Sequence, residues 1–272
     1  MKQIEIDTIY NDDAYKFVKN LKEKSIDCVY IDIPYLLTIG GGSGTDLGNR
    51  YQKRECELMG YDKKLIENSD SSKHKLLRVD KYKAKQRAET VSMEDGIDYS
   101  ILNDFCRIMK KINIFIWCSE AQMQPILDYF VKEKHCYFKL LVWAKTNAIP
   151  VNSTFLSNLE YCLYFREPGV KFNSGYELRS KWYLSGSNKA DKQKFNHPTI
   201  KPLNIVENHL LLATQPGDIV LDVFSGSGTT AVACINTGRH YICCEKNEAH
   251  WKTSVDRINC VDQSQQTCMF TR

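Results

Sequence analysis

The sequence predicts an α/β protein built on an open, mostly parallel β-sheet. Two near-continuous apolar runs, Ile26–Ile31 (IDCVYI) and Asp218–Val223 (DIVLDV), suit strands buried on both faces of such a sheet. Between and around them, apolar-run segments alternate with segments of helical apolar spacing. The second run leads directly into a glycine turn and a further helix, the local order of a βα unit.

The elements follow in order along the chain. Residues Ile4–Ile9 alternate and predict a strand. Asp12–Lys24 carries Ala14, Phe17, Val18 and Leu21 at helical spacing. The strand Ile26–Ile31 stops at Asp32-Ile33-Pro34-Tyr35, where proline removes a ladder donor. A long insertion, about 36–96, opens on Gly40-Gly41-Gly42-Ser43-Gly44 and turns lysine-rich with few apolar residues; structureless loops of this length are usually functional or mobile. A helix is expected at Tyr99–Lys110, a strand at Ile112–Cys118, a helix at Ala121–Lys134, and strands at Tyr137–Trp143 and Leu159–Arg166. The polar, basic and aromatic stretch 167–196 reads as a small inserted recognition element. The α/β pattern then resumes: helix Leu203–Ala213, strand Asp218–Val223, turn Phe224–Gly228, helix Thr229–Thr237, strand His240–Glu245, and a closing helix Trp251–Ile258 with a polar tail expected to fray. This divides the chain into 1–166, 167–196 and 197–272, the first and last being halves of one domain.

Composition narrows the class. At 272 residues, 43% hydrophobic and 26% charged, the chain can bury a sizeable core, which excludes global disorder. The acidic N-terminus does not resemble a signal peptide, and no run approaches the roughly 18 apolar residues of a membrane span. A cytoplasmic protein with no membrane partner is expected. The 11 cysteines include no C-x-x-C pair, so buried reduced thiols are expected and no metal site. The net charge of +4 is unevenly spread: 12 Lys/Arg face 7 Asp/Glu over 50–89, and 7 face 2 over 171–201, leaving the remainder acidic. Two basic segments on an acidic body suit a surface facing a polyanion.

Gly226, Gly228 and Ala231 satisfy G-x-G-x-x-A, and Glu245 lies 17 residues beyond Gly228. Glycines let a backbone approach a ligand closely, a helix N-terminus favours an anionic group, and a carboxylate ending the next strand can grip ribose hydroxyls. The pattern fits a nicotinamide cofactor or S-adenosylmethionine. Only 27 residues follow Glu245, too few for the βα units that normally follow a nicotinamide fingerprint. The other strands must come from earlier in the chain, which makes the order a permuted Rossmann-like one.

Asp32-Ile33-Pro34-Tyr35 ends a predicted buried strand, the end at which open α/β sheets bind ligands. An aromatic amine is a poor nucleophile because its lone pair is delocalised into the ring. A carboxylate accepting a hydrogen bond from the amine, aided by a backbone carbonyl, draws the nitrogen toward tetrahedral geometry and localises that lone pair. Proline stiffens the turn, as preorganisation requires. Tyr35 offers a face on which a base lifted out of its duplex can stack.

Together these residues resemble the amino-group DNA methyltransferases of permuted motif order, the β class. Asp32-Ile33-Pro34-Tyr35 is similar to that family's D-P-P-Y motif, and Asp222 to Thr230 (DVFSGSGTT) is similar to its D-x-F-x-G-S-G-T-T cofactor motif. His197 to Pro202 (HPTIKP) resembles its H-P-T-x-K-P segment. The resemblance implies a Rossmann-like S-adenosylmethionine-dependent fold with a permuted, mixed seven-stranded sheet. It implies that Asp32, Ile33, Pro34 and Tyr35 hold the target amine and base. Asp13, Lys201, Asp222, Phe224, Gly226, Gly228, Thr229, Thr230 and Glu245 would hold the cofactor. Thr229 and Thr230 could instead cap a helix, and Asp13 could favour a helix N-terminus. Arg179, Lys181, Asn188 and Lys189 are candidate contacts to double-stranded DNA. Ile33 stands where the family usually has proline. Asp32 favours adenine over cytosine, whose enzymes usually begin the motif with serine. A homodimer or a cognate restriction endonuclease is compatible with this reading. The competing classes are a nicotinamide oxidoreductase and a nucleic-acid-binding protein with an inactive transferase fold.

Overall fold

The computed structural model describes residues 4–35, 96–148, 155–173, 175–186 and 200–270, with side chains placed as far as 261. Most of the basic insertion, together with Asn188, Lys189 and His197, lies outside the described residues. The described strands are β1 (Thr8–Tyr10), β2 (Cys28–Asp32), β3 (Asn113–Cys118), β4 (Tyr137–Lys145), β5 (Leu159–Arg166), β6 (Trp182–Ser185), β7 (Ile219–Asp222) and β8 (His240–Cys244). They form one sheet in the order β1-β8-β7-β2-β3-β5-β4-β6. Strand β5 runs antiparallel to both of its neighbours, and every other pairing is parallel.

Helices cover both faces: α1 (Ala14–Asn20), α2 (Ile101–Ile108), α3 (Glu120–Leu127), α4 (Leu203–Ala213), α5 (Thr229–Thr237) and α6 (Glu248–Phe270). The period-2 alternation of the strands splits the core in two. Val29, Ile31, Ile114 and Ile116 pack with Phe17 of α1 and Phe105 of α2 on one face. Cys28, Tyr30, Phe115 and Trp117 pack with Val206 and Leu210 of α4 and Val232 of α5 on the other. Strands from both ends of the chain therefore interleave, with β7 and β8 inserted between β1 and β2.

Four expectations are corrected. Among the described residues the sheet has eight strands rather than seven, because Trp182–Ser185, inside the predicted recognition element, adds an edge strand to β4. At four residues its pattern is too short to read as a strand. The first strand begins at Thr8, not Ile4: Asp7 takes a left-handed φ of 58° and bonds His240 and Tyr241 through its carboxylate. The helix expected over Ala121–Lys134 relaxes into a π-helical turn at Asp128–Glu133. The last helix begins at Glu248 and continues to Phe270, extending at both ends beyond the expected Trp251–Ile258.

Candidate active site

Strands β2 and β7 are hydrogen-bonded neighbours, so their carboxyl ends open side by side. Asp32 ends the first and Asp222 the second. A cavity of about 40 Å³ joins the two ends, and Asp32, Lys201, Asp222, Phe224, Gly226, Thr229 and Thr230 all line it. Asp32, the first residue of the amine-orienting turn, and the glycine turn, remote in the chain, thus share one space, whose lining does not include Ile33, Pro34 or Tyr35.

The glycine turn is held in a conformation that glycine favours. Gly226 and Gly228 have φ of 50° and 76°, and a Cβ on Gly228 would lie 3.0 Å from the Ser254 Cβ. The Gly226 amide donates to Glu245 Oε2 at 2.9 Å, which sets that carboxylate over the turn. Asp222 accepts from the Phe224 amide at 3.0 Å and from the Thr230 hydroxyl at 2.5 Å. Burial nevertheless pushes its carboxyl up to about 7, more than these hydrogen bonds offset. Thr229 Oγ1 accepts from the Arg257 guanidinium at 3.0 Å. Neither threonine is the N-cap of α5; that position is Gly228. Asp13 caps α1, accepting from the amides of Tyr15 and Lys16, and pairs with Lys246 at 3.1 Å just beyond β8.

Around Asp32 the chain builds a dense polar cluster. The Ile33 amide donates to the Trp117 carbonyl at 3.2 Å, extending the β2–β3 ladder, and the Ile33 side chain is buried. Gln122, the third residue of α3 and the partner of Ser119 in the capping box that opens it, donates its side-chain amide to the Pro34 carbonyl at 2.8 Å. The Lys201 ammonium bonds Asp32 Oδ2, pairs with Glu160 Oε2 at 3.1 Å, and stands 5.3 Å from the ring centres of both Tyr35 and Trp117. Lys145 pairs with the other oxygen of Glu160 at 2.5 Å. The Tyr35 hydroxyl points at Glu160 Oε2 from 3.5 Å.

The charges set one another. Burial pushes Asp32 up and Glu160 adds to the rise, while the Lys201 ammonium and the Tyr35 hydroxyl pull it down; the net shift is upward. Burial would also raise Glu160, but Lys201 and Lys145 outweigh it and hold that carboxyl down to about 2. Burial disfavours charged Lys201, yet the two carboxylates keep its proton bound well above the ordinary lysine range. Asp32 Oδ1 and Ser225 Oγ are buried without a hydrogen-bond partner among the described residues. Both residues line the shared cavity, and buried polar atoms without a protein partner are of the kind that a ligand or ordered water satisfies.

Glu160, Lys145, Gln122 and Trp117 were not singled out from the sequence. Glu160 had a legible signal, a lone acid in the apolar run LEYCLYF. Arg179 and Lys181 are not brought to this cavity. They line a separate cavity of about 200 Å³ with Phe115, Tyr164, Phe172 and His209. By register Lys181 lies opposite Leu141, in the same row across the sheet as Cys162, Trp117 and Asp32, but out beside the edge strand. Strands β3, β5 and β4 intervene, a lateral distance of about 19 Å at normal strand spacing.

Comparison with known proteins gives concordant matches. The family model described as a DNA methylase, of the N6/N4 type, matches residues 26–256. The Type II methyltransferase M2.LlaDCHI of Lactococcus lactis subsp. cremoris is 27% identical over 265 residues, which span 91% of this chain and 87% of the relative. M2.DpnII of Streptococcus pneumoniae, also a Type II methyltransferase, is 25% identical, with 94% and 91% covered. Among solved structures, the M1.HpyAVI complex with SAM superposes with a TM-score of 0.58 at 24% identity, covering 93% of this chain and 98% of that one.

Proposed function

Because the chain belongs to the DNA methylase family, we propose that it transfers a methyl group from S-adenosylmethionine to the exocyclic N6 amine of adenine in double-stranded DNA. The observation that carries this reading is the shared cavity, in which buried Asp32 Oδ1 lacks a partner among the described residues and the glycine turn forms the facing wall. Family membership sets aside the nicotinamide reading of that turn.

S-adenosylmethionine, when bound, supplies an electrophilic methyl carried on a sulfonium. In this reading Asp222 faces its ammonium group, and Thr229, Thr230 and the amides opening α5 face its carboxylate. Phe224, Gly226 and Gly228 give the turn its shape, Glu245 takes the ribose hydroxyls, and Asp13 stands toward the adenine. Lys201 lines the same cavity but spends its charge on Asp32 and Glu160, so its part falls on the amine side.

The target amine donates one proton to Asp32 Oδ1 and the other to the Ile33 carbonyl. Both bonds draw the nitrogen out of conjugation and aim its lone pair at the methyl. With the donor bound, methyl transfer would make the N–C bond at the expense of the donor's S–C bond and leave the amine nitrogen cationic. Its surplus proton passes to Asp32, whose proton affinity burial has already raised. Tyr35 presents its ring to the flipped-out base, and the Gln122 bond to Pro34 keeps that corner rigid. A motif opening with aspartate supports adenine over cytosine.

The test is transfer of tritiated methyl from S-adenosylmethionine to mixed genomic DNA, digested to nucleosides, with Asp32→Ala run beside the wild type. Label is expected in N6-methyladenine. The variant should lose 100-fold or more, about the effect of removing one preorganised polar contact at a reacting centre, while still binding the donor. Label in N4-methylcytosine would assign the other base, and a fully active variant would remove Asp32 from the mechanism.

A further inference from the structure

We propose that Glu160 is the positioning residue of the amine-orienting corner: it clamps Lys201 against Asp32 so that one carboxylate oxygen is occupied and the other is presented to the target amine. The inference rests on the methyl-transfer reading above.

A lone aspartate could rotate and offer either oxygen, or both, to the amine. Here Lys201 takes Oδ2, which fixes the rotation and leaves buried Oδ1 as the acceptor. Lys201 can hold that post only if something holds Lys201. Its side chain is 7% exposed, its second carboxylate is Glu160 at 3.1 Å, and the Tyr35 and Trp117 rings close around it. Glu160 is held in turn by Lys145. The four side chains form a balanced quartet of two carboxylates and two ammoniums, the condition under which buried charges persist. Glu160 also receives the Tyr35 hydroxyl, so one residue on β5 registers the hydrogen-bond acceptor through Lys201 and the stacking ring directly.

The charged and titratable groups around Asp32 come from every neighbouring element. They are Glu160 and Cys162 on β5, Lys201 before α4, Asp222 on β7, Cys118 on β3, Tyr30 on its own strand and Tyr35 on its own turn. Of these, Asp222 also titrates near neutrality. The informative quantity is therefore kcat/KM for DNA at saturating donor, where the donor's ammonium keeps Asp222 ionised.

The experiment measures that pH profile, kcat and donor affinity for wild type, Glu160→Gln, Lys201→Met, Lys201→Arg and the double variant E160Q/K201M. Glu160→Gln should lower kcat about 10- to 100-fold with donor affinity unchanged. Losing a nearby negative charge should move its acid limb to lower pH. Lys201→Met should move the limb the other way, by about one pH unit or more, and Lys201→Arg should restore it. The double variant carries no uncompensated Lys201 or Glu160 charge, so it reports even if a single variant fails to fold. It should stay slow, with the limb raised. Limbs that coincide with an active wild type in all variants would overturn the proposal. A wild type that transfers no methyl to DNA would instead remove the functional reading beneath it.

Discussion

Asp32 and Asp222 end two hydrogen-bonded parallel strands and line the same cavity, although they lie in opposite halves of the chain. One carboxylate has an oxygen free of partners among the described residues; the other is fully bonded yet reluctant to ionise. Their neighbouring positions place an amine acceptor beside a cation acceptor, and the predictions below follow from that division of labour.

Donor binding should strengthen as pH rises. Burial puts the Asp222 carboxyl at about 7, so much of it is neutral at pH 6 and ionised at pH 8. An incoming ammonium needs the ionised form, so the donor Kd should fall up to about tenfold per pH unit below 7 and level off above it. Isothermal titration between pH 5.5 and 8.5 checks this, and Asp222→Asn should flatten the profile and weaken binding throughout.

The same burial makes Asp222→Asn a stabilising change in the ligand-free protein. In the unfolded chain this carboxyl ionises near 4, while in the fold it resists ionisation up to about 7. The cost of folding it therefore grows as pH rises between those values and is full above 7. The variant should gain on the order of a few kcal/mol at pH 8 and nothing below about pH 4, read as a shift in thermal midpoint. Equal midpoints at pH 8 would contradict a buried Asp222 carboxylate with no countercharge to offset its desolvation.

The glycine turn should not accept a side chain at position 228. Gly228 has φ 76°, and a Cβ there meets Ser254 at 3.0 Å. Gly228→Ala should cost about 1–3 kcal/mol and weaken donor binding. Unchanged denaturation and binding would show that α6 can yield at this contact.

Much of the fold was legible because the hydrophobic periods were unambiguous. The boundaries of β5, α4 and α5 match the sequence pattern to the residue. Strand β6 escaped because its only mark is the three-residue run Trp182-Tyr183-Leu184 in a polar segment, too short to read as a strand; Trp182 and Leu184 lie exposed at the sheet edge. Within the site, the glycines and Asp222 announced themselves through a compact motif. The role of Glu160 could not be read, because its partners Lys145, Lys201 and Tyr35 come from separate segments that only the antiparallel turn of β5 brings together.

Ile33 shows how the structure accommodates a departure from the family pattern. Where a proline ring would stiffen the turn, the Ile33 amide bonds the Trp117 carbonyl and its side chain fills the core. Ile33→Pro removes that bond and most of that packing, so it should lower stability by about 1–3 kcal/mol in denaturant unfolding. Stability equal to wild type would mean that the ladder bond contributes little here.

The most direct measurement is modification-sensitive sequencing of host DNA after expression of the wild type and of Asp32→Ala. A cavity that joins an amine acceptor to a methyl-donor turn predicts N6-methyladenine at one recurring sequence with the wild type, and none with the variant. Unmodified DNA with the wild type, or the same methylation pattern with both proteins, would contradict it.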